Sequence, residues 1–172
     1  MSLTFPIETD RLLIRPFKLE DTDAKFRLDS DPDIQKYLGG STIRERSARL
    51  LETAIEEFER QGYGLVALVE TATCEIIGYA TLQREPSRER LELVLAVLPQ
   101  ARKKEFAFEA AKALISAGCA GLQEKEIVGR VNLKNIASLR LVEKLGMRKI
   151  GERTDPLDGS VEYIYIASCL EA

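Results

Sequence analysis

Residues 131–147 read Val131-Asn132-Leu133-Lys134-Asn135-Ile136-Ala137-Ser138-Leu139-Arg140-Leu141-Val142-Glu143-Lys144-Leu145-Gly146-Met147. A short strand, Ile127 to Val131, leads into this stretch. Asn135 reads as a helix N-cap, because its side-chain oxygen can accept from an amide of the first turn. Ile136 to Leu145 follows as an amphipathic helix, and Gly146 is its C′ residue, where a left-handed backbone suits glycine. This strand, cap, helix and glycine stop set the boundaries from which the rest of the chain is read.

Upstream, Phe106 to about Gly118 predicts a helix whose apolar stripe is Phe106, Ala107, Ala110, Ala111, Leu114 and Ile115. Before it lie three strand segments, Leu65 to Glu70, Ile76 to Gln83 and Glu89 to Leu98, separated by short polar turns suited to an antiparallel meander. In the third, Leu91, Leu93, Leu95 and Val97 share one face and Glu92, Val94, Ala96 and Leu98 the other, so both faces are expected to be largely buried. Nearer the N-terminus, Leu12-Leu13-Ile14 signals a strand, and Glu20 to Asp29 a helix broken at Asp31-Pro32-Asp33. A second helix runs from Ser41 or Thr42 to Gln61, with Ile43, Leu50, Leu51, Ala54, Ile55 and Phe58 as its apolar positions and Gly62 and Gly64 at its end. Downstream, strands at Met147 to Glu152 and Glu162 to Ala167 enclose a loop from Thr154 to Ser160. The order βααβββαβαββ predicts an α+β fold, with residues 1–172 as one domain and about four helices covering a mixed, mostly antiparallel sheet of about seven strands.

Composition narrows the chemistry. The chain has 172 residues, 45% apolar and 31% charged, an ordinary globular balance. Its 25 Lys+Arg and 28 Asp+Glu give a net charge of −3, which disfavours a nucleic-acid binder driven by phosphate attraction. Histidine is absent, which removes His-based nucleophilic triads, His-liganded zinc and imidazole as a base. Acid-base work falls to carboxylates, Tyr, Lys, Cys or water. The three cysteines, Cys74, Cys119 and Cys169, are odd in number and lack a Cys-x-x-Cys spacing, so neither a disulfide framework nor a thiolate metal site is expected. Cys119, towards the end of an apolar helix, reads as packing. No basic-then-apolar leader opens the chain, and no apolar run approaches the roughly 18 residues of a membrane span. The expectation is a cytoplasmic, metal-free protein without nucleic-acid or membrane partners.

Asn135-x-x-Ser138, the leucine-rich helix and Leu145-Gly146-Met147 together resemble the closing motif of the GNAT superfamily of N-acetyltransferases. The closest likeness is to the branch that acetylates ribosomal-protein N-termini, with Met147 where that branch carries phenylalanine. Thr9-Asp10-Arg11-Leu12-Leu13-Ile14-Arg15-Pro16-Phe17 resembles the first strand of the same branch, and the likeness spans roughly residues 8–168. It implies acetyl-coenzyme A as co-substrate, lying where two parallel strands splay apart, here Glu89 to Leu98, with Ala96 and Val97 as contacts, and Ile127 to Val131. It further implies that the pyrophosphate rests on backbone N–H groups at the start of the next helix, which attract an anion through unpaired amides and the helix dipole. The corresponding loop is Arg102-Lys103-Lys104-Glu105-Phe106-Ala107. Lys103 and Glu105 stand where the family commonly has glycine, a residue that lets phosphate approach closely. For such a loop to work, the Glu105 side chain must turn outward, with Lys103 and Lys104 offsetting its charge. The departure leaves a second reading open, a non-catalytic acyl-coenzyme A sensor or scaffold.

Acyl transfer to an amine requires a group that removes the amine proton. Glu92 is the candidate, a carboxylate on a central strand beside apolar Val94 and Ala96, and the resemblance implies the same role. The competing reading is an ion pair with Arg84 or Arg90. The resemblance implies a hydroxyl to protonate the leaving thiolate, for which Ser138 is the nearest match, although at the third helical position it also suits local hydrogen bonding. Asn135 can both cap its helix and contact the pantetheine arm. The acceptor, a small-molecule or peptide amine, is expected between Asp33 to Gly40, including Tyr37, and the loop Thr154 to Ser160, where Asp155, Asp158 and Glu162 can attract a cation. A monomer or homodimer is expected.

Overall fold

A run of strands whose two faces are both apolar must be covered on both sides, and the helices are distributed accordingly. The computed structural model describes residues 3–38, 42–85, 90–102, 104–155 and 159–169. The described strands are β1 (Ile7–Glu8), β2 (Leu12–Pro16), β3 (Leu65–Glu70), β4 (Glu75–Arg84), β5 (Leu91–Val97), β6 (Glu126–Asn132), β7 (Arg148–Thr154) and β8 (Val161–Ser168). The helices are α1 (Thr22–Ser30), α2 (Pro32–Gln35), α3 (Arg44–Gln61), α4 (Phe106–Leu122) and α5 (Ile136–Lys144). The strands form one sheet in the order β1-β2-β3-β4-β5-β6-β8-β7. Among the described strands only β5 and β6 run parallel; the other neighbours are antiparallel. Parallel neighbours need a crossover, and α4 supplies it.

Leu91, Leu93, Leu95 and Val97 of β5 meet Phe106, Ala110 and Leu114 of α4 on one face. On the opposite face, Leu28 of α1 and Leu51 of α3 pack on Ala67, Val69 and Tyr79, with Ala96 beside them. A third cluster joins Val142 of α5 and Met147 to Ile127, Val131 and Tyr165. Leu28, Leu51, Leu91 and Leu114 have no exposed surface, and burying each contributes roughly 1.5–3 kcal/mol.

Among the described residues there are eight strands rather than about seven and five α-helices rather than about four. The additional strand β1 has two residues, too few for alternation to show. The additional helix α2 grows from the Asp31-Pro32-Asp33 break itself: Pro32 occupies the first turn, and the Asp31 carboxylate accepts from the Asp33 and Ile34 amides at 3.0 Å each. Two expected core positions of the second long helix are on the surface, Ile43 at 65% and Leu50 at 50% exposure. Ile43 precedes the first turn, and Leu50 lies about 100° around the helix from buried Leu51.

The cysteine expectation is also corrected. Cys119, near the end of α4, is disulfide-bonded to Cys169 beyond β8, with 5.3 Å between Cα atoms; Cys74 is free and exposed. The last turn of α4 passes beside the end of β8, where the Cys169 amide donates to the Lys125 carbonyl at 2.9 Å.

Candidate active site

The parallel register of β5 and β6 is short: Leu91 pairs with Ile127 and Glu92 with Val128, and there the ladder ends. Beyond Glu92 the two strands part into a wedge. The Glu85 amide donates to the Arg90 carbonyl at 3.1 Å, and the Leu98 amide to the Ile77 carbonyl at 2.8 Å. Even-numbered residues of β5 therefore spend their backbone groups on β4, and odd-numbered Leu95 and Val97 direct theirs into the wedge. Ala96 pairs with Tyr79 and turns its methyl to the α1/α3 face. A Cβ on Gly78 would fall 2.4 Å from the Ala96 carbonyl oxygen, so a glycine allows β4 to approach this wall.

Glu92 stands at the apex and is 3% exposed. Its expected ionic partners, Arg84 and Arg90, are engaged elsewhere: Arg84 with Glu124 at 2.6 Å and Arg90 with Glu85 at 2.7 Å. The partner is Arg130 on β6, which donates through Nε to Glu92 Oε1 at 2.6 Å and through Nη2 to Oε2. Gln83 Nε2 of β4 donates to Oε2 at 3.1 Å. Bonds from Glu92 outweigh desolvation and hold the Arg130 guanidinium above its ordinary pKa, and Glu162 and Glu85 add to this. Arg130 was missed in the sequence although the signal existed, a charged residue set between apolar Ile127, Val128 and Val131 within the strand. Gln83 also lines a cavity of about 250 Å³ between α3 and β4, with Glu57, Gln61, Tyr63 and Thr81 among its walls.

At the mouth of the wedge stands the N-terminus of α4. Glu105, in the place of the glycine, adopts the left-handed conformation that glycine favours, φ +67° and ψ 7°. Its side chain makes no cap to the helix amides and pairs instead with Lys144 of α5. The Glu109 amide opens the helical ladder by donating to the Glu105 carbonyl at 3.0 Å, which leaves the amides of Phe106, Ala107 and Phe108 in the first turn. Helix amides in the first turn below a left-handed residue, with Arg102 and Lys104 beside them, suit a phosphate. Lys103 lies outside the described residues. A clamp steadies this turn: Arg11 donates to the Lys104 carbonyl at 2.8 Å, bonds the Glu109 carboxylate through its backbone amide and Nε at 2.8 Å each, and lies 4.7 Å over the Phe106 ring. Thr9 Oγ1 donates to the same carboxylate at 2.6 Å. Desolvation would raise Glu109, but the bonds from Thr9 and Arg11 prevail and hold its carboxyl below the ordinary value.

The other wall is the turn after β6. Asn135 caps α5 as expected, its Oδ1 accepting from the Ser138 amide at 3.1 Å. Ser138 is half-buried on that first turn. The α2 segment spans both walls: Asp33 lies 3.8 Å from Arg102, and the Tyr37 hydroxyl donates to the Lys134 carbonyl at 3.1 Å. Asp155 and Glu162 both pair with Arg153, at 3.6 and 2.8 Å, so their charge is shared rather than offered freely to a cation. Asp158, Gly39 and Gly40 lie outside the described residues. Among the described residues no helix is long and apolar enough to cross a membrane.

Comparison with known proteins agrees with this geometry. The acetyltransferase (GNAT) domain family matches residues 11–148. The chain is 26% identical over 145 residues to the uncharacterised N-acetyltransferase YnaD of Bacillus subtilis, covering 84% of each protein. A GNAT-family acetyltransferase from Bacillus anthracis shares the fold with a TM-score of 0.85 and 24% identity, over 95% of this chain and 98% of that one. A Salmonella typhimurium acetyl transferase that modifies the N-terminal serine of a 50S ribosomal subunit protein gives 0.79 at 15% identity, over 93% and 96%. The matched family spans the strand bearing Glu92, the turn below Glu105 and the helix capped by Asn135, and the chain belongs to the GNAT acetyltransferases.

Proposed function

We propose that this acetyltransferase moves the acetyl group of acetyl-coenzyme A directly onto a primary amine, that of a protein N-terminus or a small molecule, without an acyl-enzyme. The wedge carries the reading: β5 and β6 part just past a buried carboxylate, and the first-turn amides of a helix stand at the opening. Acetyl-coenzyme A supplies the thioester. Leu95 and Val97 offer backbone groups to its amide-bearing arm, with Ala96 and Asn135 alongside. The amides of Phe106 and Ala107, together with Arg102, Lys103 and Lys104, hold its phosphates. Glu92 takes the proton of the incoming amine, directly or through water, and Arg130 and Gln83 hold its carboxylate in place. Ser138 protonates the leaving thiolate. Direct transfer fits the cysteines, since Cys119 and Cys169 are bonded to each other and Cys74 lies at the β3–β4 turn. The Salmonella neighbour's action on an N-terminal serine favours protein N-termini as the first acceptors to try.

Calorimetry with acetyl-coenzyme A, followed by thiol release in the presence of amines and N-terminal peptides, tests this. Binding with release to at least one acceptor is expected. The absence of both heat and thermal shift at millimolar ligand would sink the proposal, and tight binding without release across a broad panel would favour the sensor.

A further inference from the structure

Glu105 holds a backbone conformation that strains any residue with a Cβ, immediately before the first-turn amides of α4. Its carboxylate does not serve those amides. It crosses to Nζ of Lys144, in the last turn of α5, whose ammonium also lies 4.7 Å over the Phe108 ring of α4. Two helices that follow the two walls of the wedge are thus joined across its mouth by one ion pair. Both side chains are about half exposed, 55% for Glu105 and 49% for Lys144, so exchanging one oxyanion for another there carries little desolvation cost. Arg102 is held similarly by Asp33 at 3.8 Å, and Arg11 is committed to Glu109.

We infer that Glu105 is an internal placeholder for a phosphate of coenzyme A, and that Lys144 is a cofactor-binding cation kept in position by it. This rests on the acetyl-coenzyme A reading above. A carboxylate and a phosphate present similar oxygens to an ammonium, and the phosphate adds charge and acceptors for the α4 amides. When the ligand enters, Lys144 exchanges the Glu105 carboxylate for a phosphate oxygen, and its flexible four-carbon stem needs no backbone movement. Glu105 thereby competes with the ligand for Lys144 and weakens binding, while the left-handed turn it occupies keeps the amides aimed at the opening. The shared chemistry is a phosphate monoester or diester oxygen, and truncated ligands tell the 3′-phosphate from the pyrophosphate.

The test is calorimetry of the full chain, its Lys144→Gln and Glu105→Gln variants and the double variant against coenzyme A, dephospho-coenzyme A and pantetheine, at low and high salt. Thermal melts check that each protein is folded. Lys144→Gln is expected to weaken coenzyme A binding about two- to fivefold, and Glu105→Gln to tighten it by a similar factor, the scale of one charge near a helix terminus. Both effects shrink at high salt, and neither appears with pantetheine, which has no phosphate. A Lys144 effect that persists with dephospho-coenzyme A assigns the contact to the pyrophosphate; one confined to coenzyme A assigns it to the 3′-phosphate. Wild-type binding that is unmoved by Lys144→Gln, or weakened by Glu105→Gln, overturns the inference alone. Absence of binding in all four proteins overturns the acetyl-coenzyme A reading and the inference with it.

Discussion

The apex and the mouth of the wedge each carry a glutamate ion-paired to a cation on a neighbouring element, and the two pairs differ in burial. Glu92 and Arg130 have side chains 3% and 15% exposed, and the carboxylate is bonded on both oxygens. Glu105 and Lys144 are 55% and 49% exposed and joined by one contact. In a low-dielectric interior, losing one partner strands a charge that water cannot reach, whereas at the surface water replaces it. By burial, the apex pair is therefore the harder to break and the mouth pair the easier.

The most damaging substitution expected is Arg130→Met, which removes the cation and leaves Glu92 buried without it. A loss of about 3–5 kcal/mol in urea unfolding is anticipated, the usual cost of breaking a buried pair from one side. A cost below about 1 kcal/mol would show that water reaches the apex and that the contrast with the mouth is weaker than the geometry indicates.

Next in size is Glu92→Gln. Amide for carboxylate keeps the shape and removes the proton acceptor, so turnover should fall by roughly 10²-fold or more, the scale of a positioned general base. Acetyl-coenzyme A affinity should stay nearly unchanged, since the proposed phosphate site is at the other end of the wedge. Turnover equal to that of the wild type, with the same pH profile, removes Glu92 from the chemistry and leaves the pair with Arg130 a structural role only.

The sequence exposed these two regions unevenly. Glu92 was legible because a single acid interrupts the apolar alternation of Leu91 to Val97, and Asn135 because caps are local. The departure at Glu105 was visible as a missing glycine, but whether the chain kept glycine's conformation is a property of the folded turn and of the Arg11 clamp, which joins residues 98 positions apart. Arg130 could be matched to Glu92 only once the β5–β6 register was known. The Cys119–Cys169 bond, across 50 positions, needed the packing of α4 beside β8. Local periodicity carried the element order, while partners that depend on which strands neighbour one another lay beyond it.

The clamp at the mouth gives a smaller, pH-dependent effect. The folded-state carboxyl of Glu109 titrates below its ordinary value, so its bonds to Thr9 and Arg11 stabilise the fold above roughly pH 4 and are lost as pH falls through the lowered value. Arg11→Ala should cost about 1–2 kcal/mol near neutrality, the range of a charge-assisted hydrogen bond at a partly exposed site. The gap between the two proteins in melting temperature should then narrow under acid, when Glu109 is protonated in both. A gap that stays constant from neutral to acid pH would mean that Arg11 contributes by packing on Phe106 rather than by holding Glu109.

The smallest effect expected is on the stability of Lys144→Gln. Its ammonium loses one exposed carboxylate and a ring contact, and glutamine retains most of the stem, so unfolding in urea should shift by no more than about 0.2–1 kcal/mol. That shift should fade when salt is raised, because the Debye length shrinks below the reach of the exposed pair. Measured beside Arg130→Met under the same conditions, it tests the contrast between the two ends of the wedge directly. If Lys144→Gln cost as much as Arg130→Met and the cost were insensitive to salt, the Glu105–Lys144 bridge would be a structural fastening of α4 to α5. A ligand could not then displace it cheaply, and the mouth would be as fixed as the apex.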